Sequence, residues 1–201
     1  MAQSIADLQA EIRACRLCAE RFAATHTAHS PRPVVWFGPS PRILIAGQAP
    51  GLRVHGSGRP FTDPSGDRLR DWLGIDEEIF YDLARVAVVP AAFCFPGYNA
   101  KGSDLPPPTI CRRTWHDPVR AALGPVPLKV LVGGYAHKSH LGTSDPVTHV
   151  VQNWRADAPA SFPLPHPSWR NNAWIKRNAW FETDLLPALR SQVTSVLERD
   201  G

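Results

Sequence analysis

Short apolar runs separated by polar segments are the main pattern along this chain. Three of them cover residues 42–47, 85–89 and 129–133 (RILIAG, RVAVV and KVLVG). Compact runs of this length, rich in valine, isoleucine and leucine, predict strands that are buried on both faces. Residues 162–165 predict a fourth, shorter strand at an edge of the same sheet.

The segments around these strands carry apolar residues at helical spacing. Ser4 is a capping residue ahead of Leu8 and Ile12, which predicts a short amphipathic helix that ends near Cys15. Further helices are predicted over residues 67–73, 114–123, 135–141 and 172–180, and from Thr183 onward. Strands that alternate with helices indicate a parallel sheet covered on both faces. The expected fold class is α/β, a three-layer α/β/α arrangement with a central four-stranded parallel sheet in a single domain over residues 1–201.

The composition agrees with one globular domain that is not embedded in a membrane. The chain has 201 residues, of which 43% are hydrophobic and 20% charged. No apolar run approaches the roughly 20 residues that span a bilayer, and the N-terminus lacks the pattern of a signal peptide. We therefore expect a cytoplasmic monomer with no membrane partner.

The charge favours a polyanionic partner. Lysine and arginine number 22 against 18 acidic residues, and the isoelectric point is near 9.1. An excess of this size agrees with nucleic-acid binding, although many basic proteins bind no nucleic acid. The charge alone therefore does not establish a DNA partner.

Four cysteines form a pattern typical of a metal or cluster site. They are Cys15, Cys18, Cys94 and Cys111, the first two in a CxxC motif. Because cytosolic thiols stay reduced, disulfides are not expected. Four thiolates brought together by folding can hold an iron–sulfur cluster or a zinc ion, and their spacing does not separate the two. Buried cysteines that act only as small apolar groups are the alternative.

Unusual loops follow the predicted strands at residues 46, 89 and 164, where parallel sheets collect their ligands. The first loop begins with the sequence GQAPG at residues 47–51 and continues to GRPF at residues 58–61. Its glycines and proline predict a tight turn with exposed backbone N–H groups. Phe61 either stacks on a flat base from this loop or anchors the loop in the core.

Candidate catalytic groups lie in the same loops. Asp63 and Asp67 flank a Ser-Gly pair, and one of them is expected to cap a helix while the other activates water. His166, in an HPS motif, is placed to donate a hydrogen bond to a carbonyl, although a loop histidine is usually just solvated. The following segment carries residues suited to DNA contacts. Its cations are suited to phosphate contacts and its tryptophan to a wedge in the duplex: Arg170, Lys176, Arg177 and Trp169. Trp174 and Trp180, at helical spacing, are expected to face the core.

Together these motifs resemble the iron–sulfur uracil-DNA glycosylases, families 4 and 5 of the uracil-DNA glycosylase superfamily. The resemblance rests on the order of CxxC, a strand leading into GQAPG, GRPF, two further cysteines and HPS. It implies hydrolysis of the N-glycosidic bond of uracil in DNA, which leaves an abasic site in base excision repair. It also implies a [4Fe-4S] cluster held by the four cysteines, with zinc as the less favoured occupant.

The resemblance also assigns most of the site residues. Asp63, His166 and Gln48 are the predicted catalytic residues. The predicted substrate-binding residues are Gly47, Gln48, Ala49, Phe61, Asn99, His166, Ser168 and Arg170. Of these, Phe61 corresponds to the ring that stacks on uracil and His166 to the histidine that contacts a uracil oxygen.

Three positions depart from the pattern of these families. Family 4 has glutamate where this chain has Gln48, and the best-known uracil glycosylases have aspartate where it has Ala49. Family 5 lacks both carboxylates but has an aspartate just after the stacking phenylalanine, which favours Asp63 with an offset of one residue. Pro90 replaces an asparagine that recognises uracil, so recognition is expected from the backbone near Gln48 or from the Tyr98–Asn99 segment.

These departures keep other functions open. A protein of the same fold that binds uracil or abasic DNA with little or no turnover is the main alternative. A redox or zinc-ribbon module that does not bind DNA is a second alternative, because it would use the same four cysteines.

Overall fold

Four parallel strands form the centre of the molecule, in the places where the sequence has its apolar runs. The computed structural model describes residues 3–198, so residues 1–2 and 199–201 of the predicted domain lie outside it. The strands are β1 (Ile43–Ala46), β2 (Val86–Val88), β3 (Leu128–Val132) and β4 (Ser161–Leu164). Their order across the sheet is β2-β1-β3-β4, and every neighbouring pair is parallel. The predicted parallel four-stranded sheet is therefore confirmed.

Helices of different lengths connect the strands. They are α1 (Ile5–Ala14), α2 (Ala19–Ala23), α3 (Leu52–Ser57), α4 (Pro64–Leu73), α5 (Glu77–Tyr81), α6 (Thr109–Leu123), α7 (Gly134–Leu141), α8 (Val147–Gln152), α9 (Asn172–Arg177) and α10 (Leu186–Glu198). Short 3₁₀ turns cover Trp154–Ala156 and Trp169–Asn171, and a π-helical turn over Phe181–Leu185 leads into α10. Among residues 3–198, no helix is long and apolar enough to cross a membrane.

Two helical layers cover the two faces of the sheet. Alternate residues of a strand point to opposite faces, so Ile43 and Ile45 of β1 pack on one side and Leu44 on the other. The first side is covered by α4 and α10, and the second by α1 and α6. This arrangement confirms the three-layer α/β/α prediction.

Some element boundaries differ from the prediction. Helix α6 begins at Thr109 rather than near residue 114, directly after three consecutive prolines. Helix α9 ends at Arg177, three residues short of the predicted end. Strand β4 contains Pro163, which has no N–H to donate, and it lies at the sheet edge where proline is tolerated.

Candidate functional site

The loops that leave β1, β2 and β4 meet at the carboxyl edge of the sheet and enclose a cavity of about 190 Å³. Six predicted site residues line it: Gly47, Gln48, Ala49, Phe61, Asp63 and His166. Ser168 and Arg170 instead line an open groove that adjoins the cavity. The fold therefore brings together residues that are up to 119 positions apart, since Gly47 and His166 share one wall.

Phe61 is held in a strained backbone conformation beside this cavity. Its φ of 55° lies in the left-handed region that bulky residues rarely adopt. Its carbonyl oxygen accepts hydrogen bonds from Arg70 Nη1 at 3.3 Å and from the Tyr81 hydroxyl at 3.1 Å. Its ring meets Phe80 edge to face, with centroids 5.8 Å apart, and also lines the cavity. The ring therefore contacts the core and also borders the space above the sheet, and its stacking on a base stays a prediction.

Gly66 is the residue that allows the Phe61 loop to close. A Cβ atom added at Gly66 would lie 1.8 Å from the carbonyl oxygen of Phe61, which is backbone and cannot turn away. We expect Gly66→Ala to displace Phe61 and to destabilise the protein by about 1–3 kcal/mol or more, as overpacking does. Thermal unfolding measures the loss of stability. Gly56→Ala, in an exposed helical position with no atom within 4 Å, is the control and should not destabilise the protein, because alanine favours a helix more than glycine does.

The structure distinguishes the two candidate aspartates. Asp63 is the N-cap of α4, where its Oδ1 accepts a hydrogen bond from the Gly66 N–H at 3.3 Å, and it also lines the cavity. Asp67 lies one turn later, has a side chain that is 76% exposed, and pairs with Arg70. Asp63 thus combines the capping position with the cavity position, which the sequence analysis had divided between two residues.

His166 is oriented by its own loop. The backbone N–H of Ser168 donates to its Nδ1 at 3.2 Å, and Asn171 Nδ2 donates to its carbonyl oxygen at 2.7 Å. Desolvation lowers the pKa of His166, and the carboxylates of Asp63 and Asp104 only partly oppose this. A neutral ring whose Nδ1 accepts a hydrogen bond carries its proton on Nε2. His166 therefore offers one N–H donor at neutral pH.

Part of the backbone of the GQAPG loop is hydrogen-bonded to the neighbouring loop after β2. The carbonyl of Gly47 accepts from the Ala91 N–H at 2.9 Å, and that of Gln48 accepts from the Ala92 N–H at 3.2 Å. Within residues 3–198, the N–H groups of Gln48 and Ala49 have no acceptor. Gln48 and Ala49 line the cavity, and their two N–H groups are therefore available as donors.

Asn99 does not line the cavity. Its side-chain Oδ1 accepts hydrogen bonds from the N–H groups of Lys101 at 2.9 Å and Ser103 at 3.1 Å. These bonds close a tight turn, so the oxygen serves its own loop. The predicted substrate-binding role of Asn99 has no support from this arrangement and stays a prediction.

Asp104 is a cavity residue that the sequence analysis missed. It lines both the cavity and the adjoining groove. Desolvation raises the pKa of Asp104, while the charges of Arg170 and His166 lower it. The only sequence signal was its place between Cys94 and Cys111, in a segment where we expected base recognition.

The adjoining groove has basic and aromatic residues. Arg53, Arg170 and Trp169 line it, and Trp169 is 73% exposed. The Ser168 hydroxyl accepts from the Arg170 N–H at 3.3 Å and so caps the short turn that carries both groove residues. Trp174 and Trp180 pack against the core as predicted, and Trp174 also borders the groove.

The four cysteines converge on a second cavity, lined mainly by apolar residues of the N-terminal segment and the start of α6. All four are reduced, and Cys94 is buried. Burial raises the pKa of the Cys94 thiol to about 12 and that of Cys111 to about 11, with a further contribution from neighbouring cysteines. Within the described residues, no three histidine, cysteine, aspartate or glutamate side chains stand close enough to hold a single metal ion.

Most of the chain matches a protein-family model. Residues 35–190 match the family described as the Uracil DNA glycosylase superfamily. The matched range covers more than three quarters of the chain and contains all four strands and both loops that carry Phe61 and His166. It begins after the first two cysteines and therefore does not test the cluster prediction.

Proposed function

Because the chain belongs to the uracil DNA glycosylase superfamily, we propose that it hydrolyses the N-glycosidic bond of uracil in DNA and leaves an abasic site. The observation that carries the proposal is the convergence of Phe61, Asp63 and His166 on one cavity. An aromatic ring, a carboxylate and a neutral imidazole are the groups that this hydrolysis needs. The protein acts on uracil-containing DNA as a cytoplasmic monomer in this proposal.

The first step is extrusion of the uracil nucleotide from the duplex, because its glycosidic carbon cannot be reached while the base is stacked. Extrusion costs a few kcal/mol. A base stacked on an aromatic side chain regains about 1–3 kcal/mol, and Phe61 lines the cavity that receives the base. The hydrogen bonds to the Phe61 carbonyl and the contact of its ring with Phe80 hold the residue in place in advance, so little order is lost when the base arrives.

His166 then stabilises the leaving group. As the C1′–N1 bond breaks, its electron pair moves to the uracil ring, and negative charge builds up on a uracil oxygen. The Nε2–H of His166 donates to that oxygen, while the Ser168 N–H holds Nδ1 and so fixes the ring. A donor placed in advance in a partly desolvated site is worth more than the same donor in water.

Asp63 orients the water that attacks the sugar. Its Oδ1 is tied to the Gly66 N–H, which leaves Oδ2 without a hydrogen bond to any described residue. We assign Oδ2 to the attacking water, whose oxygen forms the new bond to C1′. Asp63 accepts the proton of this water and returns it to solvent, from which the uracil anion takes a proton.

Recognition of the base relies on the GQAPG loop in this proposal. Pro90 lines the cavity but has neither a side-chain hydrogen bond nor an N–H to offer. The N–H groups of Gln48 and Ala49 lie along the same wall and have no acceptor among the described residues. They supply donors for uracil carbonyl oxygens, and the Gln48 amide supplies both a donor and an acceptor.

The groove beside the cavity is the proposed DNA path. Arg170 contacts backbone phosphates there, and Ser168 holds the turn that carries it. Trp169, exposed at the same turn, enters the space that the extruded nucleotide leaves. Arg53 on α3 adds a second cation to the groove.

We further propose that the four cysteines hold a [4Fe-4S] cluster. The donor set fits: four reduced thiols line one cavity, and no cysteine is left over. Four thiolates could hold either a zinc ion or a [4Fe-4S] cluster. The order of the cysteines relative to the other motifs resembles that of the iron–sulfur uracil-DNA glycosylases, and this resemblance favours the cluster. The cluster ties the N-terminal segment to the loop that carries Asp104.

Replacing Cys94 with serine tests the cluster separately from activity. We expect anaerobically purified wild-type protein to contain iron and acid-labile sulfide in equal amounts and to absorb visible light. The Cys94→Ser variant should lose most of both, because it removes the most buried ligand. A colourless wild-type protein that contains one zinc ion per chain contradicts the proposal.

The glycosylase proposal is tested by release of the base. Wild-type protein and an oligonucleotide with one uracil should yield free uracil and an alkali-sensitive abasic site, while the thymine-containing oligonucleotide stays intact. Tight binding of uracil DNA without uracil release would instead identify a binding protein of the same fold. Failure to bind a uracil-containing duplex at low salt would favour a protein that does not act on DNA.

A further inference from the structure

The base cavity and the DNA groove meet at a small set of residues that border both spaces. Its polar members are Gln48, Asp63, Ser65, Asp104 and His166. A nucleotide with its base in the cavity and its phosphates in the groove must place its deoxyribose at this junction. Any charged group of this set therefore lies near the sugar that becomes cationic during hydrolysis.

We propose that Asp104 is a second catalytic carboxylate, which contacts the deoxyribose and stabilises the positive charge that develops on it. This inference rests on the proposed glycosylase function and assigns the carboxylate a role distinct from that of Asp63. Asp63 is partly engaged as a helix cap, and the proposed function assigns it the attacking water. Asp104 reaches the junction from a different loop, between β2 and α6.

The loop of Asp104 is ordered by backbone hydrogen bonds. Asp104 pairs with Tyr98 in an isolated antiparallel bridge, and the Leu105 N–H donates to the Gly97 carbonyl at 2.8 Å. The Asp104 carboxylate itself makes no hydrogen bond or ion pair with another residue of the described chain. The backbone therefore fixes the position of Asp104 and leaves the carboxylate available to a substrate.

The groups around Asp104 agree with an ionised carboxylate at neutral pH. It faces His166 from the loop after β4, Arg170 from the following 3₁₀ turn, and Tyr98 from its own loop. Desolvation raises the pKa of Asp104, and the charge of Arg170 limits the rise, with a smaller contribution from His166 when its ring is protonated. Partial desolvation also strengthens the attraction between a carboxylate and a sugar cation. Its catalytic contribution should disappear on acidification at a higher pH than for an ordinary aspartate.

The test compares Asp104→Asn with Asp67→Asn, which alters an exposed aspartate outside the cavity. We expect the single-turnover rate of uracil release by Asp104→Asn to fall about 10²-fold. Its affinity for uracil-containing DNA should stay the same or increase, because a negative charge beside the phosphate path is removed. Asp67→Asn should match the wild type, and Asp104→Glu, which keeps the charge, should recover part of the rate.

A second measurement separates charge stabilisation from a purely structural role. An oligonucleotide with a cationic pyrrolidine in place of the target sugar should bind Asp104→Asn at least about 10-fold more weakly than the wild type. A neutral abasic analogue should bind both proteins equally. Equal binding of the cationic analogue, or wild-type cleavage by Asp104→Asn, overturns this inference. A wild-type protein that releases no uracil overturns the proposed function instead.

Discussion

Replacing His166 with alanine is expected to slow single-turnover release of uracil by about 10²–10³-fold, the usual effect of removing one donor to a developing anion. The imidazole lines the base cavity, and the Ser168 N–H occupies its Nδ1. The Nε2–H is therefore the donor that the variant loses. Binding of uracil-containing DNA should change much less than the rate, because negative charge on the uracil oxygen develops only in the transition state.

The pH dependence gives a further check on His166. Desolvation lowers the pKa of the ring, below the ordinary value of about 6.5. The rate of uracil release by the wild type should therefore show no transition at the ordinary histidine pKa.

His149→Ala is the matched control for His166→Ala, since His149 is a 62% exposed histidine on α8 outside the cavity. If His166→Ala and His149→Ala release uracil at equal rates, the assignment of His166 is wrong.

The sequence predicted the sheet well because burial on both faces leaves a local signal. The β1 strand is a continuous apolar run and β3 is interrupted only by Lys129, so no tertiary information is needed to find them. Helices α2, α3, α5 and α8 were not predicted. Each is only five or six residues long, which is too short for helical periodicity to show.

The site was predictable where a motif determines both the residue and its loop. Phe61 and His166 lie in such motifs, and both line the cavity. Asp104 and Asn99 lie in an irregular segment between β2 and α6, where the direction of a side chain depends on contacts made only after folding. In that segment Asn99 is the residue predicted from the sequence, but its side chain binds its own turn, and Asp104, which borders the cavity, carries no sequence motif.

The two roles of Asp63 also depend on tertiary structure. A helix cap and a cavity carboxylate are separate predictions at the level of sequence, because capping depends on the following residues and catalysis on distant ones. Pro64 and Gly66 start α4 directly at the rim of the cavity, so one side chain meets both requirements. The first turn of α4 also brings Gly66 against Phe61. One short turn thus positions both the Phe61 ring and the Asp63 carboxylate.

This double role makes Asp63→Asn a variant that isolates catalysis from stability. Asparagine caps helices about as well as aspartate, so the melting temperature should stay close to that of the wild type. The rate of uracil release should nevertheless fall by about 10²–10⁴-fold, because the amide cannot accept the proton of the attacking water. Asp63→Ala should lose the rate and, in addition, about 1 kcal/mol of stability with the cap.

Asp76→Asn is the matched control for Asp63→Asn, because Asp76 caps α5 through the Ile79 N–H but lies outside the cavity. The four proteins to compare are the wild type, Asp63→Asn, Asp63→Ala and Asp76→Asn. Thermal unfolding measures the capping role, and single-turnover cleavage of the same oligonucleotide measures the chemical role. Equal rates for Asp63→Asn and Asp76→Asn would show that the water is held by another group. A large drop in the melting temperature of Asp63→Asn alone would show that the charge of Asp63 stabilises the fold beyond its capping bond, so that lost activity no longer isolates the chemical step.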